Sequence, residues 1–238
     1  MKRSNLFDPQ TFWRDKILRW ENDRYKQDFP HSSVLEKVAS QANNSLAFRL
    51  EMAARILSPI VRGRRVLELG CGSSMLSLPL IKAGAISYRG VDFAETAITL
   101  AIEKAQLGGY EDKVSYRVAD VTQVDDFEPD ITFSLGLFDW LSTEQIEAVF
   151  ALGGEHFLHS ISEKRRSPAC LLHQIYVFLA YGYRTSGYRP QYQSVTQITD
   201  IADLHVGRPI NILRHRKLSF GTLLTTLKVP EMHVVNDD

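Results

Sequence analysis

Between Arg65 and Lys228 the chain alternates two hydrophobic rhythms. Short apolar runs at 65–69, 86–91, 114–118, 130–136 and 157–162 read as strands. Between them, apolar residues spaced three and four apart mark helices at roughly 75–83, 94–107, 143–152 and 195–205. Gly84 and the pair Gly108-Gly109 stand where two of these helices should stop. Pro79 falls inside the first helix pattern, where it lacks an N–H and crowds the preceding turn, so that helix must start late or bend. Strands separated by helices have to pair in parallel through right-handed crossovers. The end breaks the rhythm: Ile210–Lys217 and Leu218–Lys228 are adjoining strand patterns with no room for a helix between them. The pattern therefore predicts an α/β fold, a doubly wound, mainly parallel seven-stranded Rossmann-like sheet with an antiparallel C-terminal hairpin.

Two stretches fall outside this frame. Residues 1–45 set Phe7, Phe12, Trp13, Trp20, Tyr25 and Phe29 among many charges, and read as an N-terminal helical extension or lid. Ser45 stands as N-cap of a helix carrying Leu46, Leu50, Ala53 and Leu57 on one face, ended by Pro59 and Gly63. Residues 46–238 form the main domain. Within it, about 164–194 is too long for a simple α/β connection and reads as a cap insertion.

Composition narrows the partners. The chain has 238 residues, suiting one α/β domain with decorations, and 44% of them are hydrophobic. Lys plus Arg equals Asp plus Glu at 28 each, so no global field draws the protein to nucleic acid, although a local basic face is compatible with that balance. Cys71 and Cys170 lie far apart without metal-ligand spacing, so neither a disulfide framework nor a zinc site is expected. Asp8, Pro9 and Gln10 interrupt the place where a signal peptide needs apolar residues, and the greasiest run, Leu171 to Tyr181, is too short to span a bilayer. A cytoplasmic location is expected.

The candidate chemistry lies at the first strand. Val66-Leu67-Glu68-Leu69-Gly70-Cys71-Gly72-Ser73-Ser74 is a buried strand feeding a turn with two glycines around one small residue, a backbone bare enough for a cofactor to lie on it. Asp92 ends the next strand pattern, where an acid can accept both hydroxyls of a ribose. Capping of the following helix is the alternative role for that acid. A dinucleotide reading needs a third glycine at position 75, which is Met. Gly70, Asp92, Asp120 and Ser134 all fall at or just past strand ends, where open α/β sheets bind ligands. One ligand could touch all four, and the carboxylates of Glu68, Asp92 and Asp120 suit a positively charged one.

On these motifs the chain resembles the class I S-adenosylmethionine-dependent methyltransferases, over roughly Ser45 to Lys228. The resemblance implies that Glu68, Gly70, Cys71 and Gly72 hold the methionine part of S-adenosylmethionine. It further implies that Asp92 binds the ribose, that Phe93 packs beside the adenine, that Asp120 lies near the adenine amino group, and that Val121 belongs to the cofactor-binding set. Asp130-Ile131-Thr132-Phe133-Ser134-Leu135-Gly136 matches the strand whose end faces the transferred methyl, with Ser134 at the cofactor. Ser74 stands where the family often has a third glycine. The stretch Ser134 to Leu141 is similar to small-molecule methyltransferases and lacks the Asn/Asp-Pro-Pro-Tyr/Phe signature of amino-methylating nucleic-acid enzymes.

For catalysis, Asp139 and His159 are the candidate bases, with His156 and Glu163 behind them; a core role competes for His159, which lies within a strand pattern. Tyr25, Arg166, Arg184 and Tyr188 are candidate substrate-binding residues, because aromatic rings supply apolar walls and arginines grip a carboxylate or phosphate. Arg165 and Arg189 belong to the same basic set, and a solvated loop or a homodimer contact is the alternative use of the insertion. The expected function is methyl transfer to a small or medium-sized, anionic acceptor, with oxygen ahead of carbon or nitrogen as target. The rivals are an RNA or protein methyltransferase and a non-catalytic cofactor-binding scaffold or regulator.

Overall fold

The computed structural model describes residues 8–9, 11–14, 34–124, 127–165, 188–219 and 221–229. Seven strands form one sheet: β1 (Arg65–Leu69), β2 (Ser87–Asp92), β3 (Val114–Val118), β4 (Ile131–Leu135), β5 (His156–Ser162), β6 (Asn211–Arg214) and β7 (Gly221–Thr225). Their order is β3-β2-β1-β4-β5-β7-β6. The first five pair in parallel, whereas β7 runs antiparallel to both β5 and β6. The doubly wound sheet closed by a hairpin is thus as the pattern predicts. The hairpin's inner strand is the later one, β7.

Alternation along the strands divides the core into two layers, since successive side chains point to opposite faces. Val66, Ile131, Phe133 and Leu158 face α1 (Val34–Leu57) and α2 (Ser77–Lys82), joining Met52, Ile56, Leu57 and Leu80. Leu67, Leu69, Val91, Phe157, Ile161 and Leu224 face the other side. There they meet Ile146, Val149 and Phe150 of α4 (Thr143–Ala151) and Ile198 and Ala202 of α5 (Val195–Asp203). Each such side chain contributes about 1.5–3 kcal/mol of apolar burial, so both sheet faces are strongly specified. The remaining helix, α3 (Glu95–Gly108), packs on β2 and β3.

Local rules account for most element ends. The helix α2 begins at Ser77 and so takes Pro79 into its first turn, where the missing N–H costs nothing. Gly109 closes α3 in the left-handed region at φ 66°. One end differs from the sequence reading. The helix α1 runs unbroken through Ser45, which therefore caps nothing. Its hydroxyl is buried in the helix face and donates to the Leu218 carbonyl at 2.7 Å. This ties α1 to the turn between β6 and β7, and a long-range bond has taken the group that a local cap would have used.

Candidate active site

The turn after β1 is shaped by three consecutive needs for left-handed backbone. Gly70, Gly72 and Ser74 have φ of 64°, 51° and 56°. The first two are conformations in which glycine carries no side-chain penalty. Ser74 takes the same region with a side chain, and its Oγ donates to the Tyr88 hydroxyl at 2.8 Å. The Tyr88 hydroxyl in turn donates to Glu68. Burial and the adjoining Glu68 push the Tyr88 phenol well above its ordinary range, so it stays a donor and fixes the Glu68 carboxylate. Beneath the turn, a Cβ on Gly90 would stand 2.9 Å from Cys71 Sγ and 2.8 Å from the Tyr116 ring. That glycine is what lets the turn settle onto β2.

Asp92, 8% exposed, locks the turn from the neighbouring strand. Its Oδ2 accepts the Gly72 N–H at 2.9 Å and its Oδ1 accepts the Ala94 N–H at 2.9 Å. The second bond sits at the start of α3, whose N-cap, Ala94, has no side chain able to cap it. The acid therefore orients both the glycine turn and a helix entry. Asp120 accepts from Thr122 N–H at 2.9 Å and from Gln145 Nε2 at 3.3 Å. Gln145 also completes the capping box of α4 with Ser142, so the helix cap and the placement of Asp120 are one device.

These groups face a single cavity of about 320 Å³. Glu68, Gly70, Cys71, Gly72, Asp92, Phe93, Asp120, Val121 and Tyr188 all line it, so nine of the sequence candidates are brought together. Part of its wall is aromatic. Trp13 stands edge-on to Trp140, with ring centroids 4.8 Å apart, and its Nε1–H donates to the Tyr188 hydroxyl at 3.0 Å. Residues 11–14 form a helical turn there, and Thr96 Oγ1 donates to the Arg14 carbonyl at 2.9 Å.

Three candidates lie elsewhere. Ser134 is fully buried and shares a 2.9 Å hydrogen bond with His159 Nδ1. The end of β4 instead presents Leu135 to the cavity, and the residue after it, Gly136, lines the cavity as well. His159, 1% exposed, is stacked between Phe138 and Phe157 with Phe150 edge-on. Burial holds its imidazole down at a pKa of about 3, so it is a neutral member of the core and not a base at the cavity. Asp139 is buried beside β5, where its carboxylate accepts from Ser162 N–H at 2.6 Å and Ser162 Oγ at 2.7 Å. It does not line the cavity, and burial raises its pKa against the opposing influence of Arg49 and Ser162.

The basic set also resolves differently from the sequence reading. Arg165 reaches away from the cavity to Glu163 at 2.9 Å and to the Ser219 carbonyl at 3.3 Å. Tyr25, Arg166 and Arg184 lie outside the described residues. Sequence reasoning missed Arg49, Trp13, Trp140 and Gln145 as lining residues. Arg49 offered a signal, since it falls on the same helical stripe as Leu46 and Ala53.

The donor set fits an adenosyl sulfonium. A backbone freed of side chains, three carboxylates and aromatic rings in the cavity wall match a cationic centre, a hydroxyl-rich ribose and a flat base. The comparisons agree. Residues 66–152 match the methyltransferase domain family. The chain superposes on magnesium protoporphyrin IX methyltransferase of Synechocystis PCC 6803 with bound S-adenosylhomocysteine, with a TM-score of 0.67 over 92% of this chain and 99% of that one. At 17% identity that likeness is one of fold. A stretch of 114 residues is 33% identical to a 23S rRNA (uracil-C5)-methyltransferase of Acidithiobacillus ferrooxidans, covering 47% of this chain and 25% of the relative. Another of 69 residues is 33% identical to a ubiquinone biosynthesis O-methyltransferase of Neisseria meningitidis, covering 29% of each. The chain thus spans about a quarter of these relatives' length. The fold is thus that of the class I methyltransferases, and the part of the chain that matches a methyltransferase domain is residues 66–152.

Proposed function

We propose that the protein transfers the methyl group of S-adenosylmethionine to a small or medium-sized acceptor, with oxygen as the target atom. The observation that carries this reading is the single cavity joining the bare turn at Gly70–Gly72 and Asp92 to apolar walls from Leu46, Leu50, Leu135 and Leu137. Asp92, held by two backbone amides, is oriented to accept the ribose hydroxyls, and Asp120 the adenine amino group. Glu68, fixed through Tyr88, lies on the methionine side. The cofactor supplies an electrophilic methyl at sulfur. The chain supplies alignment and exclusion of water, which account for much of the acceleration of an in-line displacement. Neither His159 nor Asp139 is assigned proton transfer, because both are sequestered outside the cavity.

The balance of 28 basic and 28 acidic residues supports a small acceptor over a long polyanion, and the ubiquinone O-methyltransferase match supports oxygen. The rRNA methyltransferase match favours an RNA acceptor as second reading. Incubation with methyl-labelled S-adenosylmethionine and separated metabolite and RNA fractions, read by mass spectrometry, distinguishes the two. Label in metabolites carries the first reading and label confined to RNA overturns it.

The aromatic part of the cavity wall gives a further expectation. Trp13→Ala should weaken S-adenosylhomocysteine binding about tenfold, the loss of roughly 1–1.5 kcal/mol of ring packing. Trp13→Phe should retain most of the affinity. Isothermal titration reads both, and equal dissociation constants for wild type and Trp13→Ala would remove the ring from the binding surface.

A further inference from the structure

The helix α4 opens on a capping box that uses only half of one side-chain amide. The Ser142 N–H donates to Gln145 Oε1 at 3.0 Å, and the Gln145 N–H donates to Ser142 Oγ at 3.3 Å. That backbone donor fixes which way the amide points, because only its oxygen can accept. Gln145 Nε2 is thereby turned away from the cap, and it donates to Asp120 Oδ2 at 3.3 Å. Glutamate closes a capping box as well as glutamine does. At this position it would set a second carboxylate against Asp120.

Asp120 is held from its other side. Its Oδ1 accepts from the Thr122 N–H at 2.9 Å and from Thr122 Oγ1 at 2.7 Å, and the residue caps the 3-10 turn Val121–Gln123. Asp120 and Gln145 both line the cavity, together with the apolar Ala119, Val121 and Leu141. A carboxylate acceptor and an amide donor thus stand side by side on one wall. The carboxylate oxygen can accept a further donor, and the amide nitrogen carries a second N–H beside the one given to Asp120. The edge of a 6-aminopurine offers the complement, an amino donor next to the N1 acceptor. A 6-oxopurine offers the reverse, a carbonyl acceptor next to an N1–H donor. Paired contacts of this kind discriminate between bases by roughly tenfold to a hundredfold.

Resting on the methyl-transfer reading and its placement of adenine beside Asp120, we propose that Gln145 is a specificity-determining residue for the base of the cofactor. Asp120 accepts from the adenine amino group, Gln145 donates to N1, and hypoxanthine is rejected because it meets each of them with the wrong group.

The test titrates S-adenosylhomocysteine and S-inosylhomocysteine into the full chain, with adenosine and inosine alongside, read by isothermal titration. Wild type should bind the adenine form of each pair at least about tenfold more tightly. Gln145→Glu keeps a residue that closes the capping box and should lose most of that preference. Asp120→Asn combined with Gln145→Glu exchanges donor and acceptor while keeping cap-forming residues at both positions, and should prefer the hypoxanthine form. Equal binding of the two forms by wild type overturns the proposal. So does a preference that survives in Gln145→Glu, which would make the residue a cap alone, or a double variant that still favours adenine. Wild type and the single variant decide even if the double variant does not fold. Wild type that binds neither homocysteine conjugate overturns the methyl-transfer reading instead. The adenosine and inosine titrations then judge Gln145, with equal or absent binding overturning its role.

Discussion

Asp92→Ala should weaken S-adenosylhomocysteine binding by about two to three orders of magnitude, on the order of 3–4 kcal/mol, because charge-assisted hydrogen bonds are each worth roughly 1.5–3 kcal/mol. Two effects act together. The carboxylate proposed to hold the ribose disappears, and the Gly72 and Ala94 amides lose the acceptor that fixes the glycine turn. Asp92→Asn separates them, since an amide oxygen can still accept one bond. It should fall between wild type and alanine. Isothermal titration reads the series, and an unchanged dissociation constant for Asp92→Ala would dismiss the ribose assignment.

The second large effect concerns stability. Glu163, 9% exposed, joins β5 to the hairpin by accepting from Arg214 Nη2 at 2.7 Å, Arg165 Nε at 2.9 Å and Thr222 Oγ1 at 2.6 Å. Burial alone would raise its carboxyl, but the bonds from Arg214, Thr222 and Arg165 overcome burial and hold the pKa at about 2, against an ordinary 4.5. A pKa lowered on folding adds stability that is fully present above the unfolded value. It is lost as pH falls from about 4.5 through about 2. The difference corresponds to roughly 3 kcal/mol at neutral pH. Glu163→Gln should therefore lower the urea-unfolding free energy by about that amount at pH 7 and converge with wild type near pH 2. Parallel pH profiles for the two proteins would show that this carboxylate does not couple to folding.

What the sequence disclosed and what it hid divide along the distance over which each residue finds its partner. The strand at 65–69, the turn at Gly70–Gly72 and the acid at Asp92 are local patterns, and the hairpin followed from two strand patterns with nothing between them. Their geometry needs little beyond nearest neighbours. Ser45 misleads because a hydroxyl before an apolar stripe looks like a cap until Leu218 arrives from across the chain. Arg49 lies on the apolar stripe of its helix, but what it meets there is fixed only when Gly136, Ser160 and Gly221 gather around it. His159 alternates with Phe157 and Ile161 on one strand face, yet only the ring of Phe138 beyond β4 completes its apolar surroundings. Trp13 and Tyr188 lie 175 residues apart and meet only because the chain returns beside β5, where Gln193 N–H donates to the Ser162 carbonyl at 2.8 Å.

The placement of β7 between β5 and β6 has a kinetic corollary. The outermost strand leaves the ribosome before the one that must separate it from the sheet, so β6 has no ladder to join until Thr225 has emerged. Nascent chains halted short of that point should keep the edge of β5 open to pairing with other chains, whereas those halted well past it should resist limited proteolysis.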